Sequence, residues 1–338
     1  MATKSNSNLA NAKRAKNDEF YTQLTDIEKE MRFYKDFFKG KVVYCNCDDA
    51  RESNFFKYFS LNFEFLGLKK LISTGYKENG KGVVLIYEGD KNGNRKVDSE
   101  EIVVKELNGN GDFRSEECIE FLKECDVVVT NPPFSLFREY VAQLMEYGKK
   151  FIVIGNTNAI TYKEIFPYIK ENKLWLGCSS FNSGMYFKVP NDYEYANTYK
   201  FDREKDGNKI MRVSSICWFT NIEHNRRNQP LDLYKKYSNE DYPKYDNYDA
   251  IEVSKVSEIP MDYNGIMGVP ITFLDKYCPT QFEIVWIASG HSKTTMPKEL
   301  AETLNADFKM KSKENTGNGY PILDRHQLYH RLLIKRVF

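Results

Sequence analysis

The chain lacks a long hydrophobic run, and this argues against a membrane protein. None of its apolar segments approaches the roughly 18 residues that a transmembrane helix needs. Residues 1–6 are polar and contain no apolar signal-peptide stretch. We therefore expect a soluble globular protein in the cytoplasm.

Cysteines with the spacing of a disulfide framework are also missing. The seven cysteines are an odd number without regular spacing, which is typical of reduced thiols. Cys45 and Cys47 would share one face of a strand, but no second Cys/His pair completes a zinc site. The segment from Asp90 to Glu101 has the spacing of a calcium loop, yet Arg95 stands where that loop needs glycine. We expect no bound metal.

An excess of one charge sign is absent too. The 49 Lys and Arg residues oppose 48 Asp and Glu residues, so the net charge is +1 and only local patches can attract phosphate. Residues 1–17 form one such patch, because they contain four basic residues, no acid and many Asn and Ser residues. We predict a flexible basic arm in which Lys13, Arg14 and Lys16 contact a nucleic-acid backbone. A solvated tail without a partner is the alternative.

Buried strands alternate with amphipathic helices in the first half of the chain. A helical period covers residues 24–34, a strand 41–47, an aromatic-rich helix 53–65 and a second strand 68–74. This βαβ order predicts a parallel sheet with right-handed crossovers, and hence an α/β fold. Residues 83–107 interrupt the order as two strands around a polar turn, which predicts a β-hairpin insertion.

The most informative motif is Asn131-Pro132-Pro133-Phe134, directly after the β-branched strand 126–130. The two prolines fix φ and lack an N–H, so the carbonyls of Asn131 and Pro132 can accept hydrogen bonds from a ligand. With the Asn131 side chain, they suit an exocyclic amine of a base, whose nitrogen becomes nucleophilic when both protons are hydrogen-bonded. Phe134 would stack on that base. A Pro-Pro turn with Phe134 in the core is the alternative; the position at the carboxyl end of a strand favours the ligand site.

After about residue 178 the composition changes. Tyr, Asn, Asp and Lys accumulate through residue 264, and helical periods fade. The segment 218–228 mixes basic, amide and imidazole groups, which read base edges and phosphates in other proteins, although a solvated loop is equally compatible. The residues predicted to contact nucleic acid here are His224, Asn225, Arg226 and Arg227.

Several segments of the chain resemble the EcoRI-type adenine-specific DNA methyltransferases. The similarity covers most of residues 18–178, and residues 268–277 add to it. The segments that carry it are Phe20-Tyr21-Thr22, Tyr44-Cys45-Asn46-Cys47-Asp48-Asp49, Gly111-Asp112-Phe113-Arg114-Ser115, Asn131-Pro132-Pro133-Phe134-Ser135-Leu136-Phe137-Arg138 and the stretch 155–164.

This resemblance implies an activity and an architecture. The expected reaction is transfer of a methyl group from S-adenosylmethionine to N6 of a flipped adenine in duplex DNA, within a restriction-modification system. The expected fold is a Rossmann-like class I methyltransferase sheet of about seven strands, mostly parallel with one reversed strand. We predict a donor-binding catalytic domain over residues 18–177. A target-recognition region would cover residues 178–338, with C-terminal strands that return to the catalytic core. The expected partners are double-stranded DNA, bound by a monomer, and a cognate restriction endonuclease.

The resemblance also assigns residues to the donor. The turn after the first strand, where other methyltransferases have a glycine-rich loop, contains no glycine, so we expect that its backbone cannot approach the donor in the usual way. The residues predicted to contact the donor are Phe20, Tyr21, Thr22, Asn46, Asp48, Asp49, Asp112, Phe113 and Asn131. The acceptor site is predicted to consist of Asn131, Pro132, Pro133 and Phe134.

Two other interpretations remain. Similar Asn-Pro-Pro-aromatic turns serve enzymes that methylate RNA or protein glutamine; the long segment after residue 178 argues against these, since duplex recognition needs its own surface. A DNA-binding relative that has lost catalysis is the second, and the presence of all donor-side segments argues against it.

Overall fold

The structure is a computed structural model that describes residues 21–179, 181, 184–188, 201–203, 209–314 and 318–337. The chain divides into two compact units, the first formed by residues 1–159 and 176–224 and the second by residues 160–175 and 225–338. Within the described residues, no helix is long and apolar enough to cross a membrane.

Among the described residues, twelve strands and five α-helices belong mainly to the first unit. The strands are β1 (Tyr21–Thr22), β2 (Val42–Cys45), β3 (Lys70–Gly75), β4 (Val83–Tyr87), β5 (Ile102–Glu106), β6 (Val127–Thr130), β7 (Lys150–Asn156), β8 (Trp175–Leu176), β9 (Met185–Lys188), β10 (Phe201–Arg203), β11 (Lys209–Val213) and β12 (Ile216–Thr220). The helices are α1 (Leu24–Met31), α2 (Asn54–Leu61), α3 (Phe63–Leu66), α4 (Glu116–Glu124) and α5 (Phe137–Glu146). Short 3-10 helices cover Arg32–Phe38, Phe134–Leu136 and Thr157–Thr161.

The central sheet has the strand order β5-β4-β3-β2-β6-β7-β12-β8. Strands β3, β2, β6 and β7 run parallel to one another, which confirms the predicted α/β fold with a mostly parallel sheet. Strand β12 runs antiparallel to β7. The predicted hairpin is also present as β4 and β5, and it adds a second reversed strand because β4 pairs antiparallel with β3.

Two helices of the first unit begin at a serine cap. Ser53 and Ser115 precede α2 and α4, and each hydroxyl accepts a hydrogen bond from a backbone N–H of the first turn. The predicted helix over residues 53–65 is divided into α2 and α3 at Asn62, and Gly67 ends α3 with a left-handed backbone. Helix α2 buries aromatic side chains such as Phe55 and Phe59 against the core of the first unit.

A second, antiparallel sheet of the first unit has the order β1-β9-β11-β10. It pairs Thr22 with Phe187, so the amino-terminal segment lies beside residues that follow position 178. Together with β12, this sheet shows that residues up to 224 belong to the first unit, and the predicted boundary after residue 177 does not match that division. The physical reason is burial, since β12 places Trp218 and Phe219 in the core.

The second unit contains its own sheet. Its helices are α6 (Phe166–Lys170), α7 (Ser292–Thr295) and α8 (Lys298–Thr303), with 3-10 helices over Val256–Glu258 and Ile271–Lys276. Its strands are β13 (Ile251–Glu252), β14 (Met267–Pro270), β15 (Phe282–Ala288), β16 (Ile322–Leu323), β17 (His326–Gln327) and β18 (Arg331–Arg336). The main sheet has the order β13-β14-β18-β15. The C-terminal strands β15 and β18 pair with each other within this sheet, and their return to the catalytic core stays a prediction. They carry a nearly continuous apolar face of their own, which a separate sheet can bury.

The loop with calcium-like spacing uses its polar groups internally. Asp90 accepts hydrogen bonds from the backbone N–H groups of Gly93 and Arg95, at 2.7 and 2.6 Å. Arg95 itself takes a left-handed backbone, with φ 61°. Across the part of the chain that the structure describes, no group of three or more His, Cys, Asp and Glu side chains is arranged to hold a metal ion.

Candidate active site

The Asn131–Phe134 turn leaves the carboxyl end of β6, in the middle of the parallel strands. The carbonyl oxygen of Pro133 accepts a hydrogen bond from the N–H of Leu136 at 2.9 Å, which closes the short 3-10 helix. Pro132 is buried, whereas Asn131 and Phe134 are half-buried, and the Phe134 ring packs against the core of the first unit. The turn is thus fixed to the core, while Asn131 and Phe134 as residues keep some exposed surface.

Helix α5 anchors the turn from the other side. Phe137, its first residue, is buried and lies 5.1 Å from the ring of Phe219 between centroids. A Cβ atom on Gly155 would stand 2.5 Å from the Phe137 ring. Glycine is therefore required in β7 for helix α5 to pack this closely on the sheet.

Asn46 connects the end of β2 to both ends of this turn. It is buried, and its backbone carbonyl accepts a hydrogen bond from the hydroxyl of Thr130, the residue before Asn131. Its side-chain oxygen accepts a hydrogen bond from the hydroxyl of Tyr140 on α5. Sequence reasoning missed Tyr140, and no local signal could have found it, because the bond spans 94 residues.

In the turn after β2, a cysteine takes the backbone conformation that glycine usually adopts. Cys47 has φ 67°, the left-handed region that normally favours glycine. The turn therefore contains a left-handed residue without a glycine, and the expectation that its backbone cannot approach the donor in the usual way stays a prediction. Asp48 and Asp49 follow and are half-buried; the N–H of Asp49 donates to Asp48 Oδ1 at 3.1 Å, and the N–H of Arg51 donates to Asp49 Oδ1 at 2.9 Å.

Glycines from three distant segments meet beside this turn. A Cβ atom on Gly111 would lie 2.3 Å from the carbonyl oxygen of Gly75, and one on Gly82 would lie 2.7 Å from the same oxygen. A Cβ atom on Gly75 would lie 2.9 Å from the backbone nitrogen of Ala50. Glycine is thus required near the turn after β2, but it comes from the end of β3, the start of the hairpin and the loop before α4. No sequence pattern within the turn after β2 indicates these contacts.

Asp112 and Phe113 directly follow Gly111 in the loop before α4. Arg114 donates to both carboxylate oxygens of Asp112, at 2.9 and 2.7 Å, and these bonds hold the pKa of Asp112 below its usual value. The buried ring of Phe113 meets the ring of Tyr140 edge-on, at 5.0 Å between centroids. Tyr140 therefore contacts the Asn46 turn and the Asp112 segment at once.

Cys47 lies within the same group. Burial raises the pKa of its thiol well above the usual value, and the carboxylates of Asp112 and Asp48 raise it further. A hydrogen bond with Tyr140 acts in the opposite direction. The structure thus brings together the predicted donor residues Asn46, Asp48, Asp112 and Phe113, and it adds Cys47 and Tyr140.

The amino-terminal segment that was predicted to contact the donor lies at the start of α2. The carbonyl oxygen of Thr22 accepts a hydrogen bond from the Asn54 side chain at 2.7 Å, and Asn54 begins the helix that follows the Asp48–Asp49 turn. The Thr22 hydroxyl is buried and has no hydrogen-bond partner among the described residues. Tyr21 pairs with Lys188 through the β1–β9 ladder, and Phe20 lies outside the described residues.

The predicted nucleic-acid residues are placed differently from one another. His224 belongs to the first unit, where its Nε2 lies 3.1 Å from the carbonyl oxygen of Leu176 and its ring meets Tyr34 edge-on at 5.9 Å. Asn225 and Arg226 are exposed at the start of the second unit. Residues 218–220 are strand β12 rather than part of a loop. Lys13, Arg14 and Lys16 lie outside the described residues.

Arg227 is held within the second unit. Its guanidinium carbon lies 3.5 Å from the centroid of the Trp175 ring, and its Nη2 donates to Asn172 Oδ1 at 2.5 Å. A stacked guanidinium of this kind is oriented by its aromatic partner. Arg226 and Arg227 are therefore neighbours in sequence with different surroundings.

Comparisons with known proteins agree on one family. The sequence matches the family described as adenine-specific methyltransferase EcoRI over residues 8–337. It is 51% identical to the type II methyltransferase M.EcoRI of Escherichia coli over 293 residues, which cover 83% of this chain and 89% of that protein. It is 44% identical to the type II methyltransferase M.MpnI of Mycoplasma pneumoniae over 277 residues, which cover 81% of this chain and 83% of that protein.

Proposed function

Because the chain belongs to the EcoRI family of adenine-specific methyltransferases and is a type II DNA methyltransferase, we propose that it transfers the methyl group of S-adenosylmethionine to N6 of an adenine flipped out of duplex DNA. The observation that carries this proposal is the position of the Asn131–Phe134 turn. It leaves the carboxyl end of a central parallel strand, and the residues on both sides of it are hydrogen-bonded to Asn46.

The donor-side residues fit S-adenosylmethionine by their chemistry. Asp48, Asp49 and Asp112 offer carboxylate oxygens, which suit the hydroxyl and ammonium groups of the donor. Phe113 offers an aromatic edge beside them, and the buried Thr22 hydroxyl offers a polar group without a partner among the described residues. When bound, the donor supplies a methyl group on a positively charged sulfur, which is open to attack by a nitrogen lone pair.

The acceptor-side residues would bind and orient the base. Asn131 and the carbonyl of Pro132 accept hydrogen bonds from the two N6 protons, which draws the amine toward a tetrahedral form with an available lone pair. Phe134 stacks on the ring of the base. Its packing against the core limits its movement, so the base would be held in one orientation.

Proton removal needs no dedicated base in this scheme. The N6 proton becomes acidic only when the nitrogen has gained its fourth bond, and it then leaves to water. Positioning and fixed dipoles therefore supply most of the rate, and no covalent bond to the protein forms.

The remaining parts of the proposal concern partners and place. The target-recognition surface would lie in the second unit, with Asn225 and Arg226 among the residues that contact DNA, and the basic arm of residues 1–17 would follow the backbone. We propose a protein that acts as a monomer in the cytoplasm, beside a restriction endonuclease that cuts the same site when it is unmethylated.

The decisive experiment measures which molecule is methylated. Purified protein and tritiated S-adenosylmethionine are incubated with duplex DNA, with RNA and with a protein extract in three separate reactions. The modified DNA is then sequenced for N6-methyladenine. Label in adenine at one recurring sequence of duplex DNA is the expected result. Label confined to RNA or protein, or donor binding without transfer to any DNA sequence, would overturn the proposal.

A further inference from the structure

We propose that Tyr140 is a positioning residue, which holds the donor-side turn in fixed register with the Asn131–Phe134 turn. This inference rests on the proposed function, because it assigns a role in bringing the donor and the acceptor base together. In this proposal Tyr140 touches neither the donor nor the acceptor base. It acts through Asn46 and Phe113.

The first argument is the arrangement of hydrogen bonds around Asn46. Thr130 immediately precedes the Asn131–Phe134 turn, here called the acceptor turn, and donates to the Asn46 backbone carbonyl. Tyr140 follows the turn and donates to the Asn46 side chain. Asn46 is therefore fixed from both sides of the same turn. A displacement of either strand end would break at least one of the two bonds.

The second argument is that one side chain joins two donor-side segments. The Tyr140 ring packs edge-on against Phe113, and its hydroxyl reaches Asn46 and contacts Cys47. These segments are separated in sequence by more than sixty positions, from Cys47 to Phe113, and no strand ladder pairs them directly. Tyr140 is fully buried, so its ring has little freedom to move independently of them.

The third argument is the helix that carries Tyr140. Helix α5 begins three residues after Phe134, and Phe137 fixes its first turn on Gly155 and Phe219. The position of the Tyr140 hydroxyl is thus determined by the same packing that determines the acceptor turn. Donor-side and acceptor-side elements therefore share one rigid support.

The experiment removes the hydroxyl and keeps the ring. In Tyr140→Phe the Phe113 contact remains, but the buried Asn46 side-chain oxygen loses its donor. We expect the dissociation constant for S-adenosylmethionine, measured calorimetrically without DNA, to rise about tenfold. At saturating donor, single-turnover methyl transfer should also slow about tenfold or more, because small misplacement of reacting groups is costly. The affinity for duplex DNA should not change.

Tyr44→Phe is the matched control. Tyr44 is also fully buried in the first unit, and its hydroxyl is hydrogen-bonded to the Thr74 side chain at 2.8 Å. Both variants remove a buried, hydrogen-bonded hydroxyl, so both should lower the melting temperature, but only Tyr140→Phe should weaken donor binding. Thr130→Val should act like Tyr140→Phe, and Thr130→Ser, which keeps the hydroxyl, should restore wild-type donor affinity.

The outcomes separate this inference from the proposed function. If the wild-type protein binds the donor and methylates DNA, but Tyr140→Phe matches it in donor affinity and single-turnover rate, the positioning role is wrong and the function stands. The positioning role is also wrong if Tyr44→Phe weakens donor binding as much as Tyr140→Phe does. The loss of any buried hydroxyl in the first unit would then weaken donor binding. If the wild-type protein does not bind the donor at all, the proposed function fails, and this inference fails with it.

Discussion

The buried carboxylate of Glu30 accepts a hydrogen bond from the backbone N–H of Cys178, with 2.7 Å between oxygen and nitrogen. It also accepts bonds from the N–H of Ser179 at 2.6 Å and the hydroxyl of Tyr34 at 2.8 Å. A Cβ atom on Gly177 would lie 2.3 Å from the same carboxylate, so glycine is required there. Helix α1 thereby fixes the chain where the sequence predicted a domain boundary, and the residues beyond it continue into the first unit.

Glu30 should give the protein a characteristic pH dependence. Burial raises the pKa of Glu30 above its ordinary value of 4.5, so the folded state binds this proton more tightly than the unfolded chain does. The stability contributed by the group is therefore greatest below pH 4.5 and is lost as pH rises through the raised pKa. We expect the melting temperature of the wild type, relative to Glu30→Gln, to fall as pH increases above 4.5. Calorimetry across this range tests the sign, with Glu28→Gln on the exposed face of α1 as the control. A relative stability that rises with pH would contradict the prediction.

Asn131 is the residue whose loss should affect catalysis most. Asn131→Ala removes an acceptor for an N6 proton, so we expect turnover to fall by about a hundredfold or more, as when one preorganised polar group is removed elsewhere. Donor binding should remain largely intact, because most of the predicted donor contacts come from other segments. Tritium transfer to duplex DNA measures the first quantity and calorimetry the second. Full activity in this variant would refute the assignment of the acceptor site.

The glycine contact between Gly111 and Gly75 should be intolerant of any side chain. Gly111→Ala places a methyl group 2.3 Å from the Gly75 carbonyl oxygen and strains a backbone with φ +82°. We expect it to lower the free energy of unfolding by more than about 3 kcal/mol and to weaken donor binding. Gly93→Ala is the matched control, since Gly93 has φ +79° and open space around it. That variant should lose only about 1 kcal/mol and bind the donor normally. Equal effects of the two substitutions on the melting temperature would show that the close contact is unimportant.

Alanine substitutions of Arg226 and Arg227 should have different effects on DNA binding and on the melting temperature. Arg226→Ala should weaken DNA binding about threefold and reduce the slope of log affinity against log salt by about one, if this exposed side chain contacts a phosphate. Its melting temperature should fall less than that of Arg227→Ala, because Arg226 is exposed and acts on the half-buried Asp275 only through its charge. Arg227→Ala should lower the melting temperature, because it removes the stacking on Trp175 and the hydrogen bond to Asn172. Filter-binding titrations at several salt concentrations and calorimetry test this pair, and an unchanged salt slope for Arg226→Ala would remove it from the DNA contacts.

Local sequence patterns were sufficient to predict the parallel strands, the hairpin and the Asn131–Phe134 turn. Strands such as Val127–Thr130 are short apolar runs with turn signals after them, and the two prolines at positions 132 and 133 fix the backbone without help from other segments. The second half of the first unit was harder to predict. Strand β12 is as apolar as β6, but nothing local to Ile216–Thr220 reveals that it pairs with β7.

The sequence by itself determined that the protein has an α/β sheet with an Asn-Pro-Pro-Phe turn at a strand end, because periodicity and proline geometry act over a few neighbouring residues. Only the tertiary structure decided how the segments predicted to bind the donor are assembled. The left-handed Cys47, the contact of Gly75 with Gly111, and the bonds from Thr130 and Tyr140 to Asn46 join segments up to 94 residues apart. Such contacts depend on the packing of the whole first unit, which no window of the sequence contains.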